Sequence, residues 1–251
     1  VLVQLDEEEL DHLEGYKRSS PVRIGNGAAY QLQLETYGEL LNTAYELVRR
    51  DIELEPNIMD FLSKVADHAC SIWKEPDYGI WEMRGEPRHF TYSKVMIWVA
   101  LDRAIHLANQ YGHTGDVEKW EKSRSEIKKE VLEKGYDHEL GAFVQSFGSK
   151  DLDAANLRIP LLEFLPFDDE RVQGTIEMTL KNLTKNGLVY RYIHDDGLPG
   201  KEGAFGLCTF WLVDALALSG RTKVARDIFE YIVNHANLVK LLPEQLDPYT
   251  G

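Results

Sequence analysis

A loop at residues 74–90, between two apolar helical patterns, concentrates the side chains best suited to acid–base chemistry. Glu82 follows Trp81 directly, with further carboxylates, aromatic rings and arginines on either side. A carboxyl group beside an indole ring is desolvated, which raises its pKa and suits it to act as a general acid, whereas a nearby arginine lowers the pKa. The competing interpretation is a solvated loop that Trp81 anchors to the core. Composition alone leaves the two interpretations evenly matched.

A second candidate carboxylate lies near the other end of the chain, where Glu244 precedes Gln245 within residues 241–248. An inverting glycosidase needs two carboxyl groups about 6.5 to 9.5 Å apart, because one protonates the leaving oxygen while the other activates a water. Neither segment is specific by itself. The pair becomes informative only if the fold brings both segments to one place.

The overall composition narrows the class of ligand. The 251 residues include 28 Lys and Arg against 42 Asp and Glu, a formal net charge of −14, and 43% of them are hydrophobic. Such a composition is typical of a globular protein with a real core. The negative charge repels phosphate backbones, so nucleic-acid binding is not expected and a neutral or cationic ligand is favoured.

Signals for several other classes are missing from the sequence. Cys70 and Cys208 lie in apolar helical runs and cannot form a disulfide framework, and the eight histidines show no metal-ligand spacing, so we predict no metal and no cofactor. No apolar stretch reaches about 18 residues and no secretory signal opens the chain, so we expect no membrane partner and a cytoplasmic location. Because the chain begins with Val1, a piece of a longer protein with an upstream leader is also compatible. The oligomeric state stays open.

The elements that must position the two loops are helices. Apolar residues recur at helical spacing and strand-like alternation is rare, which predicts an all-α fold. Patterns that are apolar on most faces, including residues 153–165, alternate with amphipathic ones, as expected for inner helices packed on outer helices. After a lead-in at 1–27, the predicted helical hairpins cover residues 28–74, 93–134, 153–184 and 204–236.

The connections between these helices differ in length. Each inner helix reaches its outer partner through a short link, and each outer helix is followed by a long segment. The long segments therefore gather at one end of the helices, which puts residues 75–92 and 237–251 on the same rim. An α/α toroid fits this plan, and four hairpins would leave a six-hairpin ring open.

Four segments, in order along the chain, resemble glycoside hydrolase family 15, the glucoamylase-like enzymes that include microbial trehalases. They are residues 21–39, residues 79–85 (GIWEMRG), residues 93–104 and residues 243–248 (PEQLDP). Together they span nearly the whole chain. The resemblance implies an (α/α)6 barrel, a carbohydrate partner and hydrolysis of α-glucosidic bonds with inversion.

The same resemblance implies roles for individual residues. Glu82 falls on the family's general acid and Glu244 on its general base. The weaker predictions, for contact with the sugar, are Trp81, Arg84, His89, Lys94, Glu202 and Trp211. Trp81 would stack on a glucose ring, and the cationic side chains would bond hydroxyl groups. A purely structural role is at least as good an interpretation for each of these six residues, and Trp211 in particular fits a core position.

One departure from the family pattern concerns the start of the barrel. Family members carry a Trp-Arg-Asp segment that grips the non-reducing glucose, and nothing before residue 21 supplies it. The N-terminal domain, the first barrel hairpins and the last helix are therefore expected to be absent from this chain. Activity of the chain by itself is in doubt for the same reason.

The leading hypothesis is an inverting, exo-acting α-glucoside hydrolase that releases glucose from α-glucans or oligosaccharides. An α,α-trehalase of the same family is the alternative within this class. Two alternatives come from other classes: another α/α-toroid enzyme, such as a sugar epimerase or lyase, and a non-catalytic scaffold that binds carbohydrate or protein. The sequence does not decide between starch-type oligosaccharides, trehalose and other α-glucosides.

Overall fold

The computed structural model describes residues 6–112, 115–193 and 202–250. The chain divides into two compact units, residues 1–32 and residues 33–251. The first unit contains the predicted lead-in. In its described residues, 6–32, β1 (Glu8–Glu9) pairs antiparallel with β2 (Arg23–Ile24), and a 3-10 turn covers Tyr16–Arg18.

The second unit is helical. Its helices are α1 (Glu35–Val48), α2 (Pro56–Ile72), α3 (Thr91–Tyr111), α4 (Val117–Lys134), α5 (Arg158–Leu161), α6 (Glu170–Asn182), α7 (Gly206–Leu218) and α8 (Thr222–Val233). Two-residue strands pair antiparallel: β3 (Tyr136–Asp137) with β4 (Ala142–Phe143), β5 (Thr184–Lys185) with β6 (Leu188–Val189), and β7 (Ala204–Phe205) with β8 (Gln245–Leu246).

Helix α3 and its successor α4 illustrate the inner and outer patterns. Nearly every residue of α3 is buried, because α1, α2 and α4 all pack against it. Helix α4 buries only the stripe of Trp120, Ile127 and Val131. It begins where the Asp116 side chain accepts a hydrogen bond from the Lys119 amide, as an N-cap residue does.

The predicted third inner helix, residues 153–165, is much shorter in the structure. A 3-10 turn at Ala154–Leu157 leads into the single turn of α5. Pro160 accounts for the difference, since it lacks an N–H and its ring would clash with the carbonyl of Asn156 in a continuous helix. Most apolar residues of this segment are buried nonetheless. The apolar pattern therefore predicted their burial correctly but predicted too long a helix.

The segments that follow the outer helices lie side by side. Thr91 N donates to Gln145 O (2.9 Å), which joins the end of the first long segment to the second. Ala154 N donates to Arg191 O (2.9 Å), which joins the second to the third. Strand β7 after the third pairs with β8 in the fourth. These contacts place each long segment of the second unit next to the following one.

Among the described residues, no helix has both the length and the apolar character that a bilayer crossing requires.

Candidate functional site

The loop at residues 77–88 is closed at its base and tied to the start of α1. Asp77 and Arg88 exchange two backbone hydrogen bonds of 2.9 and 2.8 Å. The fully buried Asp77 carboxylate accepts the amide N–H of Gly79 (3.2 Å) and of Leu34 (3.3 Å). Gly79 has a φ of 69°, a conformation that favours glycine. This clamp fixes where the chain emerges towards residues 81 and 82.

Glu82 lies at the exposed tip of this loop. Its backbone has a φ of 52°, in the left-handed region that few residues other than glycine adopt. Its Oε1 accepts a hydrogen bond of 3.3 Å from Gln33 Nε2. Such backbone strain persists where surrounding contacts hold the residue, and it is common at functional sites.

The neighbouring Trp81 is fixed by a buried carboxylate. Its indole N–H lies 3.0 Å from both carboxylate oxygens of Asp153. Asp153 is 5% exposed and also accepts hydrogen bonds from Gln145 Nε2 (3.0 Å) and Ala155 N (2.8 Å). Sequence reasoning missed Asp153, because only the tertiary structure brings it to the indole.

Trp81 belongs to a group of rings between two arginines. Its ring centroid lies 5.7 Å from that of Phe205 and 6.0 Å from that of Trp211. The guanidinium of Arg191 lies 5.3 Å from the Trp81 ring, and that of Arg158 lies 5.4 Å from the Trp211 ring. The structure therefore joins the two predicted tryptophans and adds two arginines that the sequence did not single out.

Glu202, a predicted site residue, lies next to this group. Its carboxylate forms an ion pair with Arg191, in which Arg191 Nε donates to Glu202 Oε2 at 3.1 Å. Glu202 is partly buried. Arg191, the direct partner of Glu202, packs on the Trp81 ring. Glu202 could therefore orient Arg191 and also lie beside a bound sugar, as the sequence predicts.

The segment that carries Glu244 is positioned by its backbone. Gly206 N donates to Glu244 O (2.9 Å), and Gly203 N donates to Gln245 Oε1 (3.3 Å). A Cβ at Gly203 would lie 2.8 Å from Leu246 O, so the close approach of β7 and β8 requires a glycine there. The Glu244 side chain is exposed.

Phe205 lies between the two segments that carry the predicted carboxylates. It lies in β7 beside the segment of Glu244 and packs on Trp81, the residue before Glu82. Phe205 therefore links the segment of Glu244 to the loop of Glu82 through the ring of Trp81.

Three further predicted residues, Lys94, His89 and Arg84, lie elsewhere around the loop. Lys94 is 2% exposed, and its Nζ donates to the carbonyls of Trp73 (2.7 Å) and Glu75 (2.5 Å), while burial lowers its pKa to about 8. His89 is exposed and stacks on an aromatic ring, that of Phe147, with 6.0 Å between ring centroids. Arg84 is exposed. Lys94 thus supports the loop from beneath, and sugar contact by these three residues stays a prediction.

A group of carboxylates surrounds the base of the 77–88 loop. Glu35, 6% exposed, has its pKa raised to about 7, first by burial and then by the charges of Asp77, Glu39 and Glu82. Glu39 forms an ion pair with Arg158. Both Glu35 and Glu39 lie in the 21–39 motif. The sequence did not predict that they lie near Glu82, because this depends on how α1 packs against the 77–88 loop.

The described residues contain no group of three or more His, Cys, Asp or Glu side chains arranged to hold a metal ion.

Comparison with known sequences identifies relatives along the whole chain. The family described as glycosyl hydrolases family 15 matches residues 2–251. A trehalase of Thermoplasma volcanium is 42% identical over 246 residues, which cover 98% of this chain and 40% of that protein. A trehalase of Mycobacterium tuberculosis is 43% identical over 250 residues, covering 98% and 37%. The chain spans about two fifths of the length of these relatives.

Solved structures with the same fold are more distant in sequence. A glycosidase in complex with glucose has a TM-score of 0.75 at 21% identity, covering 91% of this chain and 62% of that one. A bacterial glucoamylase complexed with acarbose has a TM-score of 0.72 at 17% identity, covering 87% and 37%. These likenesses confirm the predicted all-α toroid, of which this chain forms a part.

Proposed function

Because the chain belongs to glycosyl hydrolase family 15, we propose that it carries the acid and the base of an inverting α-glucoside hydrolase, with α,α-trehalose as substrate. The observation that carries this proposal is the contact of Trp81 with Phe205, since it joins the Glu82 loop to the Glu244 segment. Hydrolysis with inversion requires two carboxyl groups that flank the scissile bond.

In this proposal Glu82 is the general acid and donates its proton to the glycosidic oxygen as the C–O bond breaks. Glu244 is the general base and accepts a proton from the water that attacks the anomeric carbon from the opposite face. One water is consumed and two glucose molecules form, of which one is released as the β anomer. Trp81 offers its ring face to the C–H groups of the glucose, and Asp153 holds that face in place.

The choice of trehalose rests on the relatives. The proteins above that are 42% and 43% identical are named trehalases. This favours the alternative from the sequence analysis over the leading hypothesis of a starch-type substrate. The glucoamylase complexed with acarbose is only 17% identical and supports the fold alone.

The test of the roles uses the complete protein and two isosteric substitutions. We expect Glu82→Gln and Glu244→Gln each to lower turnover of trehalose by about 10³-fold or more, because general acid–base catalysis contributes about 10²–10⁴ per group. Glu86→Gln, in the same exposed loop as Glu82, is the matched control and should keep turnover near the wild-type value. Turnover near wild type in either site variant would remove that residue from its role.

The stereochemical outcome and the substrate class need separate readouts. Proton NMR during the first turnovers should show β-glucose alongside α-glucose from trehalose; α-glucose alone would contradict inversion. Rates on trehalose, maltose and a longer α-glucan should favour trehalose. Binding of trehalose without hydrolysis of any of the three would support the non-catalytic scaffold instead.

A further inference from the structure

Glu35 is a buried carboxyl group with an unmet hydrogen-bonding capacity. It lies in the first turn of α1, is 6% exposed, and its Oε2 has no hydrogen-bond partner among the described residues. No Lys, Arg or His of the described residues forms an ion pair with Glu35; Arg158 and Arg191 pair with Glu39 and Glu202. A buried carboxylate without a cation is strongly disfavoured, so the group is more stable as a neutral acid.

The residues around Glu35 connect it to the loop that carries Glu82. Gln33 donates to Glu82 Oε1, and Leu34 N donates to the Asp77 carboxylate. Two consecutive residues just before α1 therefore contact residues 77–82, which we call the acid loop, and Glu35 follows them directly in the chain. Asp77 accepts two backbone N–H groups and holds the loop closed.

The charged and titratable groups near Glu35 come from every element packed at this point. Carboxylates face it from α1 and from the acid loop, and a phenol from α3 faces it too; they are Glu39, Asp77, Glu82 and Tyr92. The cations are engaged elsewhere. Arg158 contacts Glu39 and the Tyr92 hydroxyl, and Lys94 donates to backbone carbonyls.

Loss of the proton from Glu35 would put a second negative charge near the Asp77 carboxylate, which closes the acid loop. Asp77 is fully buried, so repulsion from an ionised Glu35 is only weakly screened. The contacts that such repulsion would weaken are those of Asp77 with Leu34 and Gly79, and these set the position of Trp81 and Glu82.

We propose that Glu35 is a positioning residue that holds the acid loop in place as a neutral carboxylic acid, and that loss of its proton releases the loop. This inference rests on the proposed function for its effect on catalysis, though not for its effect on the loop. The pKa of Glu35, raised to about 7 by burial, puts the change within the physiological range. Glu35 itself does not contact the reacting atoms.

The test compares wild type with Glu35→Gln in the complete protein. Glutamine has nearly the same shape but cannot ionise. Wild-type kcat should fall on the alkaline side with a midpoint near pH 7, whereas in the variant that limb should move up by about one pH unit or more. At pH 5 the variant should keep kcat within about threefold of wild type, because both side chains are then neutral. Glu46→Gln, on the same helix but paired with Arg50, is the control and should leave the profile unchanged.

A second readout does not depend on hydrolysis. Infrared difference spectra between pH 5 and pH 8 should show a protonated carboxyl band that is lost with a midpoint near pH 7, and the component of this band that belongs to Glu35 should be missing in Glu35→Gln. Tryptophan fluorescence should change over the same range in wild type and in Trp211→Phe but not in Trp81→Phe. If these signals appear while no glucoside is hydrolysed, the proposed function fails and the role of Glu35 stands.

Three outcomes would overturn the role of Glu35. They are an unchanged alkaline limb in a folded Glu35→Gln variant, a loss of kcat above about 100-fold at every pH, and a wild-type protein without the pH-dependent carboxyl band. If Glu35→Gln does not fold, Glu35→Asp serves instead; it keeps an ionisable group and should keep both the alkaline limb and the band.

Discussion

The two proposed catalytic carboxylates are held by different means. Glu82 lies on a loop that buried side chains fasten from beneath, chiefly Asp77 and Asp153. Glu244 lies beside a two-residue strand pair and is positioned by backbone hydrogen bonds. Both carboxylate side chains are themselves exposed.

Because of this difference, the two sides of the site should be sensitive to different substitutions and, to different degrees, to changes in pH. Buried polar side chains are costly to leave unpaired, and buried carboxyl groups titrate at shifted pH values. Turnover and stability should therefore depend on pH, and on side chains several ångströms away, in the region around Glu82, which we call the acid side. The region around Glu244, which we call the base side, should respond mainly to substitutions that disturb the close approach of β7 and β8.

The largest expected effect concerns stability on the acid side. The pKa of Glu35 rises from 4.5 to about 7 on folding, so between these values the folded chain holds a proton that the unfolded chain has released. The free energy of unfolding therefore falls as pH rises through this window, by about 3 kcal/mol in all. Glu35→Gln should remove that loss. Urea titrations of both proteins at pH 4.5 and pH 8 measure it, and an equal pH dependence in the two would contradict the assignment.

The second effect concerns the support of Trp81. Asp153→Ala removes the acceptor of the indole N–H and leaves Gln145 without its partner, which should cost about 2 kcal/mol of stability. We expect kcat to fall by about tenfold to 100-fold with a smaller change in KM, because the ring is misplaced rather than lost. Asp153→Asn keeps an acceptor and should recover most of the activity. Wild-type kcat in Asp153→Ala would show that the indole contact has no part in positioning the acid loop.

The smallest effect concerns the base side. Gly203→Ala places a Cβ 2.8 Å from Leu246 O and should push β7 and β8 apart. A local shift of this kind should cost about 1 kcal/mol and lower kcat about fivefold, with no change in the pH profile. Gly85→Ala is the matched control, since a Cβ added there would meet no atom within 4 Å. Equal thermal stability and turnover in the two alanine variants would contradict a base side held by strand contact.

The sequence predicted the frame of this site well. Periodicity placed most of the long helices within a few residues of their observed bounds, because each buries an apolar stripe at helical spacing. Helix α1 is one exception, since the first predicted hairpin begins at residue 28 and α1 begins at Glu35. Connection lengths predicted that the segments of Glu82 and Glu244 lie at one end of the helices; this stays a prediction, which the packing of Phe205 on Trp81 supports. The other exception is residues 153–165, where Pro160 prevents the continuous helix that the apolar pattern suggested.

The buried carboxyl groups that hold the site in place could not be predicted from the sequence pattern. Asp153 reaches Trp81 from 72 residues away, and Glu35 reaches the acid loop only because α1 packs beside it. No local pattern distinguishes such a carboxylate from one on a solvated face. The left-handed backbone of Glu82 is equally hidden, since a glutamate rarely adopts it without tertiary contacts.

The most direct test of the shared site is the distance between the carboxyl groups of Glu82 and Glu244 in a crystal structure of the complete protein with a bound glucoside-like inhibitor. We predict about 6.5 to 9.5 Å, with the inhibitor between the two groups and its ring against Trp81. A separation near 5 Å would contradict inversion. Carboxyl groups on opposite sides of the protein, or an inhibitor bound away from both, would contradict the shared site itself.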